Sequence, residues 1–177
     1  MSKLFFLLRI KTWVLFIAFF SLFVFNYNHF YQTYISGLIY VLWICWTIAI
    51  GYYVQDLTDN IKVDGLTRDK FKFNSYFLLT CFIILRFLPM IKPGLLDFRE
   101  SNFIIKSVSG VIFIYAVYCF FYVYAMTSMI VMTIEHKQKV TFGGSIGHFL
   151  RLIVFPFGVV GIHPIIYNKV KSTSLMD

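Results

Sequence analysis

The sequence predicts an all-α fold, an integral membrane four-helix bundle with a C-terminal re-entrant or interfacial segment. Three observations carry that prediction. The stretch Tyr34–Val54, YISGLIYVLWICWTIAIGYYV, holds no Asp, Glu, Lys, Arg or His. At about 1.5 Å rise per residue it makes a rod of roughly 30 Å, the thickness of a bilayer's hydrocarbon core. The 177 residues are 59% hydrophobic and 21% aromatic but only 14% charged, where soluble domains carry about 25% charged residues. The basic residues, 16 Lys and Arg against 8 Asp and Glu, are scattered between apolar stretches rather than gathered in runs. Such a pattern is topogenic, with cations held beside anionic lipid, and direct nucleic-acid binding is not expected. The length suits one domain, residues 1–177, with spans at about 12–27, 34–54, 73–90 and 107–133 and an interfacial segment at about 149–163.

Met1–Lys11 is short, with Lys3, Arg9 and Lys11 among apolar residues. No small-x-small cleavage site follows Phe25, so an uncleaved signal anchor is expected rather than a signal peptide. Leu4, Phe5, Leu7 and Leu8 are expected in the membrane interface. The first span has Trp13 and Tyr27 as interfacial anchors, and Phe16, Phe20 and Phe23 at helical spacing. Asn28–Thr33 carries no Lys or Arg and makes an antiparallel hairpin of the first two spans. His29 lies in this link as an exposed loop histidine, with a pH sensor as the sharper reading.

In the second span Ser36, Tyr40, Trp43, Thr47 and Gly51 fall at steps of four, three, four and four and share one helix face. Ser36, Tyr40, Thr47 and Gly51 are expected to pack against another helix, because small and hydroxyl residues let helices approach closely in lipid. The loop Gln55–Lys72 alternates Asp56, Asp59, Asp64 and Asp69 with Lys62, Arg68, Lys70 and Lys72. Its Asp56–Asn60 run lacks the acidic spacing and distal Glu of a calcium loop. Asp64-Gly65 marks a turn, and Thr67 is a candidate cap for the third span.

The third span embeds Arg86 in FIILRFLPM, just before Pro89. Two readings of Arg86 stand: its stem snorkels to the interface, or its charge faces the bundle interior as a functional group. Asp97 and Glu100 are its expected partners. In the fourth span Tyr115, Tyr118 and Tyr122 share a face, lining a hydrated interior or bonding across helices, and Met126, Met129 and Met132 continue much the same side. Glu135 and His136 follow, but adjacent helical residues do not face each other, so a solvated helix end is expected there. An enzyme would need Glu135, His136, His148 or His163 to converge at the cytoplasmic face.

Leu152–Ile162 is apolar but short, and Pro156, Gly158 and Gly161 interrupt it. It is too short to span and fits a re-entrant or interfacial segment. Gly143-Gly144 and Gly147 do not form a phosphate loop, since no GK[ST] follows. Cys45, Cys81 and Cys119 lie in three different apolar segments without CxxC spacing, and are expected as buried, unpaired thiols. No metal or cofactor is expected. Lys3, Arg9, Lys11, the four cations of the Gln55–Lys72 loop, and Lys137, Lys139, Arg151, Lys169 and Lys171 fall on one side. Only Lys92, Arg99 and Lys106 fall on the other. That bias predicts both termini in the cytoplasm.

The residues Phe155-Pro156-Phe157-Gly158, His163-Pro164 and Asn168, with Ile50-Gly51 closing the second span, resemble the pattern of a group of small four-span bacterial membrane proteins. His163 and Ile165 stand where that group commonly has Gln and a basic residue. The resemblance covers about the last thirty residues well. It implies topology and a bacterial inner membrane, and no chemistry.

The expected function is that of a non-enzymatic, multi-pass inner-membrane accessory or scaffold subunit acting through helix–helix contacts. Its partners are the lipid bilayer and a membrane or cytoplasmic protein, or further copies of itself. Two alternatives stand beside it. One is an oligomeric channel or pore lined by Arg86, Tyr115, Tyr118 and Tyr122. The other is an accessory membrane regulator of a bacterial antiviral, CRISPR-type defence system. His163 completes the candidate functional polar residues.

Overall fold

The computed structural model describes residues 6–25, 32–57, 68–91, 103–136, 140–154 and 157–174. Among these residues every regular element is a helix: α1 (Phe6–Arg9), α2 (Thr12–Phe25), α3 (Gln32–Leu57), α4 (Arg68–Ile91), α5 (Phe103–His136), α6 (Phe142–Ile153) and α7 (Phe157–Ser174). Within α5, Ser107–His136 is long and apolar enough to cross a membrane. Thr12–Ser21 and Ser36–Tyr52 are shorter apolar helices, and the pair α6–α7 passes the same test only as a unit bent by 114°. Asp59 and Asn60 of the Asp56–Asn60 run, Thr67, His29, Asp97, Glu100, Lys137 and Lys139 lie outside the described residues.

The elements follow from sequence. α2 is apolar on all sides, as a helix with no water-facing stripe must be. α3 and α5 hold no internal proline. α4 begins in the charged turn Arg68-Asp69-Lys70 and continues two residues beyond Pro89. α6 sets Ser145, His148 and Leu152, at steps of three and four, on one buried face.

Leu7 and Leu8, expected in the membrane interface, are buried in a short helix that packs against α7 and α3. The apolar stretch Leu152–Ile162 falls across two helices, α6 and α7, bent by 114° at a short break, the geometry of a broken span or a re-entrant loop. Their close approach depends on Gly158, where a Cβ would fall 2.2 Å from the Arg151 carbonyl oxygen. A backbone atom cannot move aside, so any side chain there would push α7 off α6.

The core is drawn from almost every helix. Leu8, Trp46, Ile50, Phe71, Tyr124, Leu152 and Ile162 are all fully enclosed. α5 is the central strut and touches α3, α4, α6 and α7, while α1 and α2 rest on α3 and α7.

Candidate functional site

The seam between α3 and α4 is built on small residues. A Cβ on Gly51 would lie 2.2 Å from the Phe71 ring, and one on Gly37 would lie 2.9 Å from the Phe87 ring. Both rings therefore occupy the space a side chain would need. Tyr40 leans on Phe82, ring centroids 5.8 Å apart, although Tyr40 is half exposed. At the same end of the seam the Arg86 guanidinium Nη2 donates to the Ser36 hydroxyl. Of the expected packing residues, Ser36, Thr47 and Gly51 are buried. Thr47 donates to the Trp43 carbonyl at 3.1 Å, and its own carbonyl oxygen accepts from Thr127 of α5 at 3.5 Å.

α4 and α5 are joined through Asn74, which is 1% exposed. Its Oδ1 accepts from the Tyr115 hydroxyl at 2.9 Å and from the Cys119 thiol at 3.4 Å. Tyr115, Tyr118 and Tyr122 form a continuous stack, with centroids 5.7 and 5.9 Å apart. Phe77 of α4 meets the Tyr115 ring edge-on at 4.8 Å, and the Lys70 ammonium lies 5.1 Å from the Tyr122 centroid. The three cysteines are free thiols.

His163 of α7 is fully buried. The indole N–H of Trp46 donates to its Nδ1 at 3.2 Å, and its Nε2 lies 2.8 Å from the Ile10 carbonyl oxygen. An indole nitrogen only donates and a carbonyl only accepts, so the imidazole is neutral with its proton on Nε2. The Ile10 carbonyl is available because the chain breaks between α1 and α2. The Val14 N–H, which would take it in a continuous helix, turns to Lys11 instead at 2.9 Å.

α5 and α6 carry a second polar group. Ser128 lies 3.2 Å from Ser145, whose hydroxyl donates to the Phe142 carbonyl at 3.0 Å. Glu135 and His148 pair at 2.8 Å. Glu135 thus finds its partner across the hairpin and not at the neighbouring His136. His148 and His163 do not converge, since His163 sits against α3 and the α1–α2 junction. Ser145 precedes His148 by one turn, yet its proton is directed at a backbone carbonyl, so the imidazole does not activate it. Among the described residues no group of three or more His, Cys, Asp or Glu is gathered to hold a metal.

Sequence reasoning missed Asn74 and Trp46, and named Glu135 and His148 without foreseeing that these two alone would pair. Asn74 alone carried a signal, as an amide inside an apolar run. The chain matches no family model, none of the curated proteins and no solved structure.

Proposed function

We propose that this chain is a multi-pass membrane protein of the bacterial inner membrane, with four spans and both termini in the cytoplasm. In this reading it acts as a non-enzymatic accessory or scaffold subunit for a membrane or cytoplasmic protein partner. One observation carries the membrane reading: polar side chains are buried beside the apolar core while large apolar ones face outward. Ser36, Thr47, Asn74, Thr127, Ser128, Ser145 and His163 are buried, while Trp13, Phe73, Val111, Phe113 and Ile114 are 60–70% exposed. Water would favour the opposite arrangement of these residues. In lipid it is the stable one, because polar groups must find partners inside the bundle.

The scaffold reading is supported by what those polar groups do. Arg86, Tyr115, Asn74, Thr127 and His163 each bond to a neighbouring helix or junction. The channel alternative draws on Arg86 and Tyr115, which these bonds already engage. Carbonate extraction tests the membrane reading, and a periplasm-active reporter fused after Asp177 tests orientation. The expected results are retention in the membrane and a silent fusion. Release by carbonate overturns the membrane reading, and an active fusion overturns the orientation. Cross-linking and affinity capture of the tagged chain from its native membrane tests the scaffold role. A stoichiometric partner is expected, and recovery of the chain alone overturns that role.

A further inference from the structure

The geometry points to a phosphate-binding corner between α3 and α4, where the guanidinium of Arg86 holds the phosphodiester of a phospholipid from the leaflet away from the cytoplasm. This inference rests on the membrane reading above. The offset that sets Gly51 against Phe71 and Tyr40 against Phe82 also sets Ser36 against Arg86. A Cβ on Gly37 would lie 3.0 Å from Cγ of Arg86. The bare helix surface at Gly37 is therefore what lets the stem of Arg86 lie against α3.

That contact does not balance the charge of Arg86. Nη2 donates to the Ser36 hydroxyl, a neutral acceptor. Nε is buried and hydrogen-bonded to nothing. Among the described residues no carboxylate pairs with Arg86: Asp56 and Asp69 stand at the opposite ends of α3 and α4, and Glu135 is held by His148. A guanidinium taken out of water without an anion is unfavourable. Arg86 as a whole is only half-buried, so an anion can reach it from outside the bundle.

Position selects the anion. The expected span limits at residues 34 and 90 put Ser36 and Arg86 about 3–6 Å inside the hydrocarbon edge at 1.5 Å per residue. A headgroup phosphate meets a long cationic side chain at that depth. One turn further in, on the same side of the seam, Tyr40 follows Ser36 by four residues and Ile83 precedes Arg86 by three. Both are exposed, and they offer apolar surface to the acyl chain below a phosphate at Arg86. The guanidinium is a planar fork whose parallel N–H groups match two oxygens of one phosphate. Every phospholipid carries that group, so the site demands a phosphate and not a particular headgroup.

The test is native mass spectrometry of the full-length chain released from detergent micelles, with phosphatidylglycerol and diacylglycerol of matched chains added in equal amounts. The phosphatidylglycerol adduct is expected to exceed the other about tenfold, the contribution of one charge-assisted hydrogen bond. This comparison is made on the wild type and depends on no variant folding. Arg86→Gln, which keeps a donor for Ser36 but loses the charge, equalises the two lipids, and Arg86→Lys keeps part of the excess. Lys106→Gln removes a cation from the same expected side of the membrane and leaves the excess in place. Equal adducts in the wild type, an excess that survives in folded Arg86→Gln, or an equal loss in Lys106→Gln would each overturn the inference. So would displacement of the lipid by equimolar inorganic phosphate, which would give the corner to the free anion. An adduct seen only when Asp97→Asn and Glu100→Gln are combined would give it to the chain's own carboxylates and overturn the inference too. Carbonate extraction is run in parallel. A chain released by carbonate overturns the membrane reading and this site with it. A retained chain that binds both lipids equally overturns this site alone.

Discussion

The indole of Trp46 donates a hydrogen bond to Nδ1 of His163 at 3.2 Å, across 117 positions of sequence. The other ring nitrogen of His163 holds the Ile10 carbonyl. One side chain therefore ties α3 and α7 to the junction where the chain enters α2. A replacement must both accept and donate to preserve that link. Gln can do so through its amide oxygen and nitrogen, whereas Phe can do neither. His163→Phe leaves a buried donor and a buried acceptor unpaired, at about 1–3 kcal/mol for each. His163→Gln is expected to retain most of the stability. Thermal unfolding in detergent, followed by tryptophan fluorescence, checks the pair, and equal losses from the two variants would show that the hydrogen bonds contribute nothing.

Two glycines in long helices predict opposite outcomes. Gly51 faces the ring of fully buried Phe71, which a new Cβ would approach to 2.2 Å. Gly51→Ala is expected to destabilise by about 1–3 kcal/mol through overpacking, and Phe71→Leu in the same chain should recover part of the loss. Gly110 of α5 has nothing within 4 Å of its Cβ position. Gly110→Ala is therefore expected to be neutral or to stabilise by up to about 1 kcal/mol, the difference in helix propensity. Equal effects at the two sites would mean that α3 and α4 do not approach as closely as Phe71 requires.

Local periodicity made the helices and several of their faces legible. The steps between Ser36, Thr47 and Gly51 placed them on one side of α3, and the steps between Tyr115, Tyr118 and Tyr122 placed them in register to stack. Both are consequences of the 3.6-residue turn. What periodicity cannot carry is a partner from another element. Nothing near Trp46 distinguishes its indole from that of Trp43, and the carbonyl of Ile10 has no side-chain signature at all. It becomes an acceptor only because the chain breaks between α1 and α2. Glu135 was similarly opaque: its relation to His136 could be read from helix geometry, whereas its relation to His148 depends on how α6 lies on α5.

Asn74 offers the most direct measure of how α4 and α5 are held. Its carboxamide oxygen is shared by the Tyr115 hydroxyl and the Cys119 thiol, so three polar side chains form one unit between α4 and α5. Asn74→Leu leaves both donors without their acceptor, while Tyr115→Phe removes one donor and leaves the thiol bonded. Residues acting on one acceptor should couple, and their effects should not add. Hydrogen bonds between membrane helices contribute about 0.6 kcal/mol on average and up to about 1.7. A double-mutant cycle of Asn74→Leu with Tyr115→Phe is expected to return a coupling in that range. Tyr118→Phe serves as the control: Tyr118 stacks in the same ladder but is not bonded to Asn74, so its cycle with Asn74→Leu should be close to zero. Equal coupling at Tyr115 and Tyr118 would assign the effect to ring packing and remove the hydrogen bond from the account.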